Sequence, residues 1–423
     1  MKKHLPIALA GLMVLALASS ALAAAPKERT ERPRRPASSQ AAPHYDITYQ
    51  IHIPTFADVV APKIEEAFER EIARQRGPED QQAIRKQFLE NVQAAVMTAV
   101  KELDDVTLGW KLDRQEKRTY LDLRVTAVPG SGLAKRFGAL KELKTAFAGF
   151  KLEGAALAAH AVGQMPADEA QRNVKLIQLA REQALKKIEE KSAPEKEIMK
   201  DLASKLFDVI EGTAASGRSD GALSVVVKPD QVTLVAAGYV ADGPKLESVV
   251  KPVAQYLKEH HPAFASFKAD AEQYQGVNLH TLAIPAPQGD DRERFVKVFG
   301  ESLDVVIGFG KEAVYVAAGK DAMKTLKAAI DKSKTPAAVA NPLEVSLALQ
   351  PIAETVAALG RDHERAPAEM VNAMLKQTPG KDHLRLVVEP IDRGAVVRIE
   401  VEQGILELIG SVNADLRKFL LGQ

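Results

Sequence analysis

The thirteen residues LDLRVTAVPGSGL, starting at Leu121, align without a gap on LVAAGYVADGPKL, starting at Leu234. That alignment brings Leu121 onto Leu234, Gly130 onto Gly243 and Leu133 onto Leu246 at one offset of 113. A chain that repeats itself at this spacing folds as copies of one supersecondary unit, which narrows the architecture more than composition does. The pentapeptides AFAGF (Ala146 to Phe150) and AFASF (Ala263 to Phe267) extend the match at an offset of 117. The four added residues are about one helical turn, so the second copy's helix keeps the same face inward.

Each copy reads as strand, helical region, β-hairpin and helix. In the first, Tyr45, Ile47, Tyr49, Ile51 and Ile53 alternate on one face of a strand. Two helical stripes follow, through Phe56, Val59, Val60, Ile64, Phe68 and Ile72, then Ile84, Phe88, Val92, Val96 and Val100. The hairpin arms are Val106 to Leu112 and Leu121 to Val128, with Leu121, Leu123 and Val125 alternating against Asp122, Arg124 and Thr126. The second copy runs from about Gly154 to Phe267, with stripes at Val174, Ile177, Leu185 and Ile188, then Ile198, Leu202, Leu206 and Val209. A shorter third copy carries GVNLHTLAIP, a helix around Phe295 to Phe299, the hairpin DVVIGFGKEAVYVAAG and a helix through Met323, Leu326 and Ile330. The fourth carries LEVSLALQ, helices near Ile352 to Leu359 and Met370 to Leu375, a hairpin, and a last helix through Ile405, Leu408, Val412 and Leu416.

Gly130, Gly243, Gly319 and Gly404 stand at the strand-to-helix corner of the four copies, where a positive φ is expected. Pro78, Pro166, Pro194 and Pro367 stand near helix openings, with carboxylates after them that complement the helix dipole. Hairpin-joined strands imply mainly antiparallel sheets, with amphipathic helices packed on one face. The fold class is α+β, built from internally duplicated β-α-β-β-α units. The longer units occupy 45–270 and the shorter 271–423.

Ahead of the units, Lys2 and Lys3, the apolar run Leu5 to Ala18 and the small-residue exit at Ala21 to Ala23 read as a secretory signal peptide over 1–23. The run is shorter than the roughly 20 residues of a membrane span, and no later segment is apolar enough to cross. Residues 24–44 follow as a Pro-rich tether with five basic and two acidic residues, a charge of +3. The body from Ala37 onward holds 50 basic and 54 acidic residues, a charge of −4, which argues against a nucleic-acid partner. The chain has no cysteine, so an exported fold relies on core burial instead of disulfides.

Motifs that resemble active sites fail on context. GRSDG, Gly217 to Gly221, has the form of a nucleophile elbow at Ser219, but that elbow needs a strand before and a helix after, and here the order is reversed. DVVIGFGKEA places Gly308, Gly310 and Ala313 in a dinucleotide-type pattern, yet another strand follows, so the glycines are expected to serve a hairpin turn with positive φ. PGSGLAKRFG lacks the G-K-[ST] ending of a phosphate loop and reads as a helix start. No cofactor is expected. His52, His160 and His280 fall on the first strands of three units and are the candidate metal ligands, three imidazoles suiting an ion such as zinc if those strands lie side by side. The alternative is that they are polar-face histidines.

The third unit, GVNLHTLAIP then DVVIGFGKEAVYVAAGKDAMKTLKAAID, resembles exported bacterial proteins of uncharacterised function. The resemblance implies export and a repeated α+β fold and carries no active site. The sequence therefore points to an exported, periplasmic or secreted protein without catalysis of its own, which binds an envelope component or supports the envelope. A carrier of a small apolar ligand or lipid, held between helices and a curved sheet, is one alternative. A hydrolase or metalloenzyme is the other.

Overall fold

The computed structural model describes residues 44–74, 78–190 and 196–411. The expected signal peptide, the tether before His44, Pro194, and the helical positions Val412 and Leu416 lie outside the described residues.

Four units of one design follow each other. The first comprises strand β1 (Ile47–His52), helices α1 (Pro54–Ala73) and α2 (Glu79–Glu102), the hairpin β2 (Leu103–Asp113) and β3 (Arg118–Ala127), and helix α3 (Gly132–Ala139). After the short strand β4 (Lys144–Thr145) comes the second: β5 (Leu157–Gln164), α4 (Ala167–Glu189), α5 (Lys196–Ala215), β6 (Arg218–Lys228), β7 (Gln231–Tyr239) and α6 (Gly243–His260). Strand β8 (Lys268–Tyr274) precedes the third: β9 (Val277–Pro285), α7 (Arg292–Phe299), β10 (Ser302–Phe309), β11 (Ala313–Gly319) and α8 (Ala322–Lys332). Strand β12 (Ala337–Ala338) leads to the fourth: β13 (Leu343–Ala348), α9 (Gln350–Leu359), α10 (Asp362–Leu375), β14 (His383–Ile391), β15 (Gly394–Glu402) and α11 over 403–411.

Local chemistry sets the helix ends. Pro78 and Pro166 are N-caps as expected, and α4 carries Asp168 and Glu169 in its first turn and Lys186 and Lys187 in its last. Pro367 is a correction: it lies inside α10, which starts at Asp362, where the Glu364 carboxylate accepts the Arg361 N–H at 2.7 Å. The acidic first turn outweighs the single backbone bond that Pro367 forgoes.

Among the described residues all larger strands join one antiparallel sheet of thirteen, in the order β1-β2-β3-β15-β14-β13-β5-β6-β7-β11-β10-β9-β8. The α+β class and the antiparallel character follow the sequence reading. Within each unit the first strand and the hairpin form a three-stranded meander, and the units meet through like strands. Third strands pair at β3–β15 and β7–β11, and first strands at β5–β13.

The two pentapeptides are joints between units, but they land on opposite faces. Phe147 and Phe150 pack with Val235, Leu279, Val306, Ala317 and, from α8, Leu326 and Ile330, with Tyr315 stacked on Phe150 at 5.8 Å. Phe264 and Phe267 pack with Leu282, Ile284, Val305 and Ala254 of α6 on the other side of the sheet. Helices therefore lie on both faces of the third unit, a refinement of the one-face expectation. Its strands are apolar at both alternating sets of positions, Val306 and Leu279 on one side and Val305 and Leu282 on the other, so both sides gain from cover.

Candidate functional site

The face that α6 covers in the third unit, here the front, carries rows of paired apolar side chains at the other end of the sheet. One row runs Ile47, Trp110, Leu121, Ile399, Leu386, and the next runs Tyr49, Leu108, Leu123, Val397, Val388. From β1 to β14 the rows are roughly 20 Å wide at the usual strand spacing. They are open. Ile47 and Tyr49 are each 65% exposed, Leu121 and Leu123 40% and 41%, and Leu108, Trp110, Leu384 and Ile399 are exposed as well. The cover over the third unit is α6, of 18 residues, whereas the corresponding helix of the first unit, α3, has eight. At 1.5 Å per residue that is about 12 Å of helix against about 27 Å.

The polar side of the same strands is turned inward, the reverse of an ordinary half-buried sheet. Asp122 is fully buried and takes a bidentate pair from Arg398, Nε and Nη2 each at 2.8 Å. Tyr45 donates its hydroxyl to the same carboxylate at 2.9 Å. Burial and the hydrogen bond to Asp122 push the Tyr45 phenol well above its ordinary value. Its ring lies over Gly109, where a Cβ would approach the ring carbons to 2.6 Å. Arg398 also sits 4.3 Å over the Tyr120 ring, and Arg118 pairs with the buried Glu400 at 2.9 Å. The back of the first and fourth units is thus held by charge pairing together with the buried Val387 and Val396, and the apolar side chains of the front rows are left facing outward.

The three histidines do not meet. β1 and β5 are six places apart in the sheet order and β5 and β9 five, or roughly 29 and 24 Å at the usual spacing. His280 also points to the front, while His52 and His160 point to the back. Each has local partners instead. His52 is exposed beside Asp105 at 3.0 Å, and His160 meets the Asn341 carbonyl at 2.8 Å. His280 is buried beside Glu247 at 3.2 Å, and burial lowers its pKa. Lys251 holds Glu247 and Asp270 next to it at 2.7 and 2.6 Å, so that cluster already contains its cation. A cluster that the sequence reading missed, Asp382, His383 and Glu402, is tied into the backbone: Asp382 accepts from Gln350 N–H and Glu402 from His383 N–H, both at 2.8 Å. The hydrogen bond to Asp382 raises the His383 pKa.

The other motifs resolve as structure. Ser219 lies in β6, opposite Gly163, with helix α5 before it and no strand-to-helix elbow. Ser131 caps α3 through Ala134 N–H at 3.1 Å, and the Glu102 carboxylate accepts Leu133 N–H at 2.6 Å, so an anion of the chain itself fills that helix start. Gly308 and Gly310 form the expected hairpin but without positive φ, a correction. Glycine is needed at Gly308 because Leu279 and Val277 pack 2.9 Å from where its Cβ would stand. Among the corner glycines, Gly130 and Gly319 have positive φ, and Gly243 and Gly404 do not. A cavity of about 440 Å³ between α7 and the start of α10 is lined by Asp290, Glu293, Arg294, Lys297, Arg361 and Arg365, a charged lining that does not suit an apolar ligand.

One buried acid gives a pH signature. Glu169 is 2% exposed, its carboxylate oxygens have no hydrogen-bond partner among the described residues, and Arg136 stands 3.9 Å away. Burial pushes its carboxyl up to about 7, above the ordinary 4.5. A folded-state pKa above the unfolded one adds stability below the unfolded value and loses it as pH rises toward the folded value. Denaturant titrations should show Glu169→Gln more stable than wild type at pH 8 by about 1–3 kcal/mol, with the difference gone or reversed at pH 4.5. Parallel stability curves for the two proteins from pH 4.5 to 8 would refute this.

The chain matches no known family model, no curated protein and no solved structure. Its function is therefore argued from the site itself.

Proposed function

We propose that this chain is a binding protein of the cell envelope, without catalysis of its own, that docks an apolar macromolecular surface onto the open front of its sheet. The observation that carries the reading is the pair of exposed apolar rows through Trp110, Leu121, Leu123 and Ile399. Exposed apolar patches of this extent mark interaction sites, because a monomer gains stability by covering them. A broad open face suits another macromolecule better than a small carried molecule, which binds in a concave, enclosing site. Placement in the envelope rests on the basic start, apolar run and Ala-Leu-Ala exit of residues 1–23.

Site-specific photocrosslinking in the producing cells tests it. A crosslinker at Leu123 should give one discrete macromolecular adduct, and one at Arg385 on the back of the same sheet should give none. A small mass increment at Leu123 would favour the carrier reading. Equal capture from both faces, or none from Leu123, would remove support for a docking face.

A further inference from the structure

The two edges of the sheet are unlike. At one, β8 carries Lys268, Asp270 and Glu272, breaks register between Lys268 and Glu272, and holds Asp270 at a φ of 50°. Charge and irregularity are the devices by which sheets discourage edge-to-edge pairing. At the other, β1 reads ITYQIH, with no lysine, arginine, carboxylate or proline, and pairs with β2 in unbroken register from Ile47 to His52.

Its outer backbone groups can be assigned. Ile53 N–H donates to the Asp104 carbonyl at 2.9 Å, and Asp105 N–H turns away to Thr126 Oγ1 on β3 at 3.3 Å. Antiparallel alternation then aims the backbone of Ile47, Tyr49 and Ile51 at β2, and that of Thr48, Gln50 and His52 at the open edge. Inside the chain, first strands of units pair with each other, as β5 does with β13, and the first strand β9 is closed off by β8. Among the described residues β1 is the first strand left without such a neighbour.

We infer that β1 is a homodimer seam: a second copy of the chain adds its own β1 antiparallel across a twofold axis, repeating between chains the first-strand pairing of β5 with β13. A C2 contact of this kind is self-complementary, since the same strand serves both sides. The apolar front rows then continue from Ile47 and Tyr49 across the axis. The inference does not depend on what occupies the front face.

Sedimentation velocity on the full chain should give twice the chain mass at micromolar concentration. Gln50→Pro removes an outward N–H and no bond to β2, a substitution edge strands tolerate. Gln50→Lys places like charges beside the axis. Both variants should sediment as single chains with unchanged circular dichroism, and amide exchange at Thr48 and His52 should speed up in Gln50→Lys. If Gln50→Pro misfolds, Gln50→Lys decides. A wild type of single-chain mass overturns the inference, including the case in which residues 1–43 cover the edge and only their removal gives a dimer. A dimer that survives both substitutions overturns it too.

Discussion

Arg398→Ala should lower the unfolding free energy by about 3–5 kcal/mol, the usual cost of removing one partner from a buried ion pair. Asp122 has no exposed surface, and among the described residues Arg398 alone brings a positive charge within hydrogen-bond distance of it, the Tyr45 hydroxyl being neutral. Without the guanidinium the carboxylate must protonate or draw in water, and either is unfavourable. Arg398→Lys should fall between, since one ammonium cannot reproduce the two-point contact at 2.8 Å. Leu121→Ala, at the residue next to Asp122 on β3 but facing out, should cost less than about 1 kcal/mol. Urea midpoints for the three variants would settle the order. An Arg398→Ala loss no larger than that of Leu121→Ala would mean that the polar side of this sheet is not the inside.

Gly243→Ala should destabilise by about 2–4 kcal/mol and Gly130→Ala by about 1 kcal/mol, although the two positions correspond in the repeat. A Cβ at Gly243 would land on the Gly310 carbonyl oxygen and 3.2 Å from that of Ala313, in a corner already closed by Gly243 N–H bonding to Lys311 O at 3.0 Å. Neither carbonyl can move without disturbing the turn between β10 and β11. At Gly130 nothing lies within 4 Å of the added atom, and the cost is the φ of 79° alone. Asparagine tolerates that conformation, so Gly130→Asn should recover most of the loss, while Gly243→Asn should not. Thermal melts of the four variants test the distinction. Equal losses at the two sites, both relieved by asparagine, would restore the single explanation based on φ.

Much of the architecture was legible because each unit repeats the same local preferences. Helix stripes, hairpins and most helix starts came out where periodicity and caps placed them. Strand β8 was missed because KADAEQY has no apolar alternation, as suits a charged edge. The turn after it, Gln275 and Gly276 at φ of 52° and 77°, was the available signal, obscured by glutamine standing where asparagine is usual. The candidate site was half legible. The alternation of Leu121, Leu123 and Val125 against Asp122, Arg124 and Thr126 was plain, but not which side faces in.

Local sequence settled the unit: where strands and helices begin, that hairpins make the sheet antiparallel, and that the chain carries four copies of one plan. These depend on residues a few positions apart, whose contacts are present in any arrangement of the units. Tertiary structure decided the rest. Asp122 is inside because Arg398, 276 residues away, reaches it, and the histidines are apart because the units follow the spatial order one, four, two, three. Burial depends on what is placed over a strand, and that is set by partners distant in sequence, which periodicity cannot report.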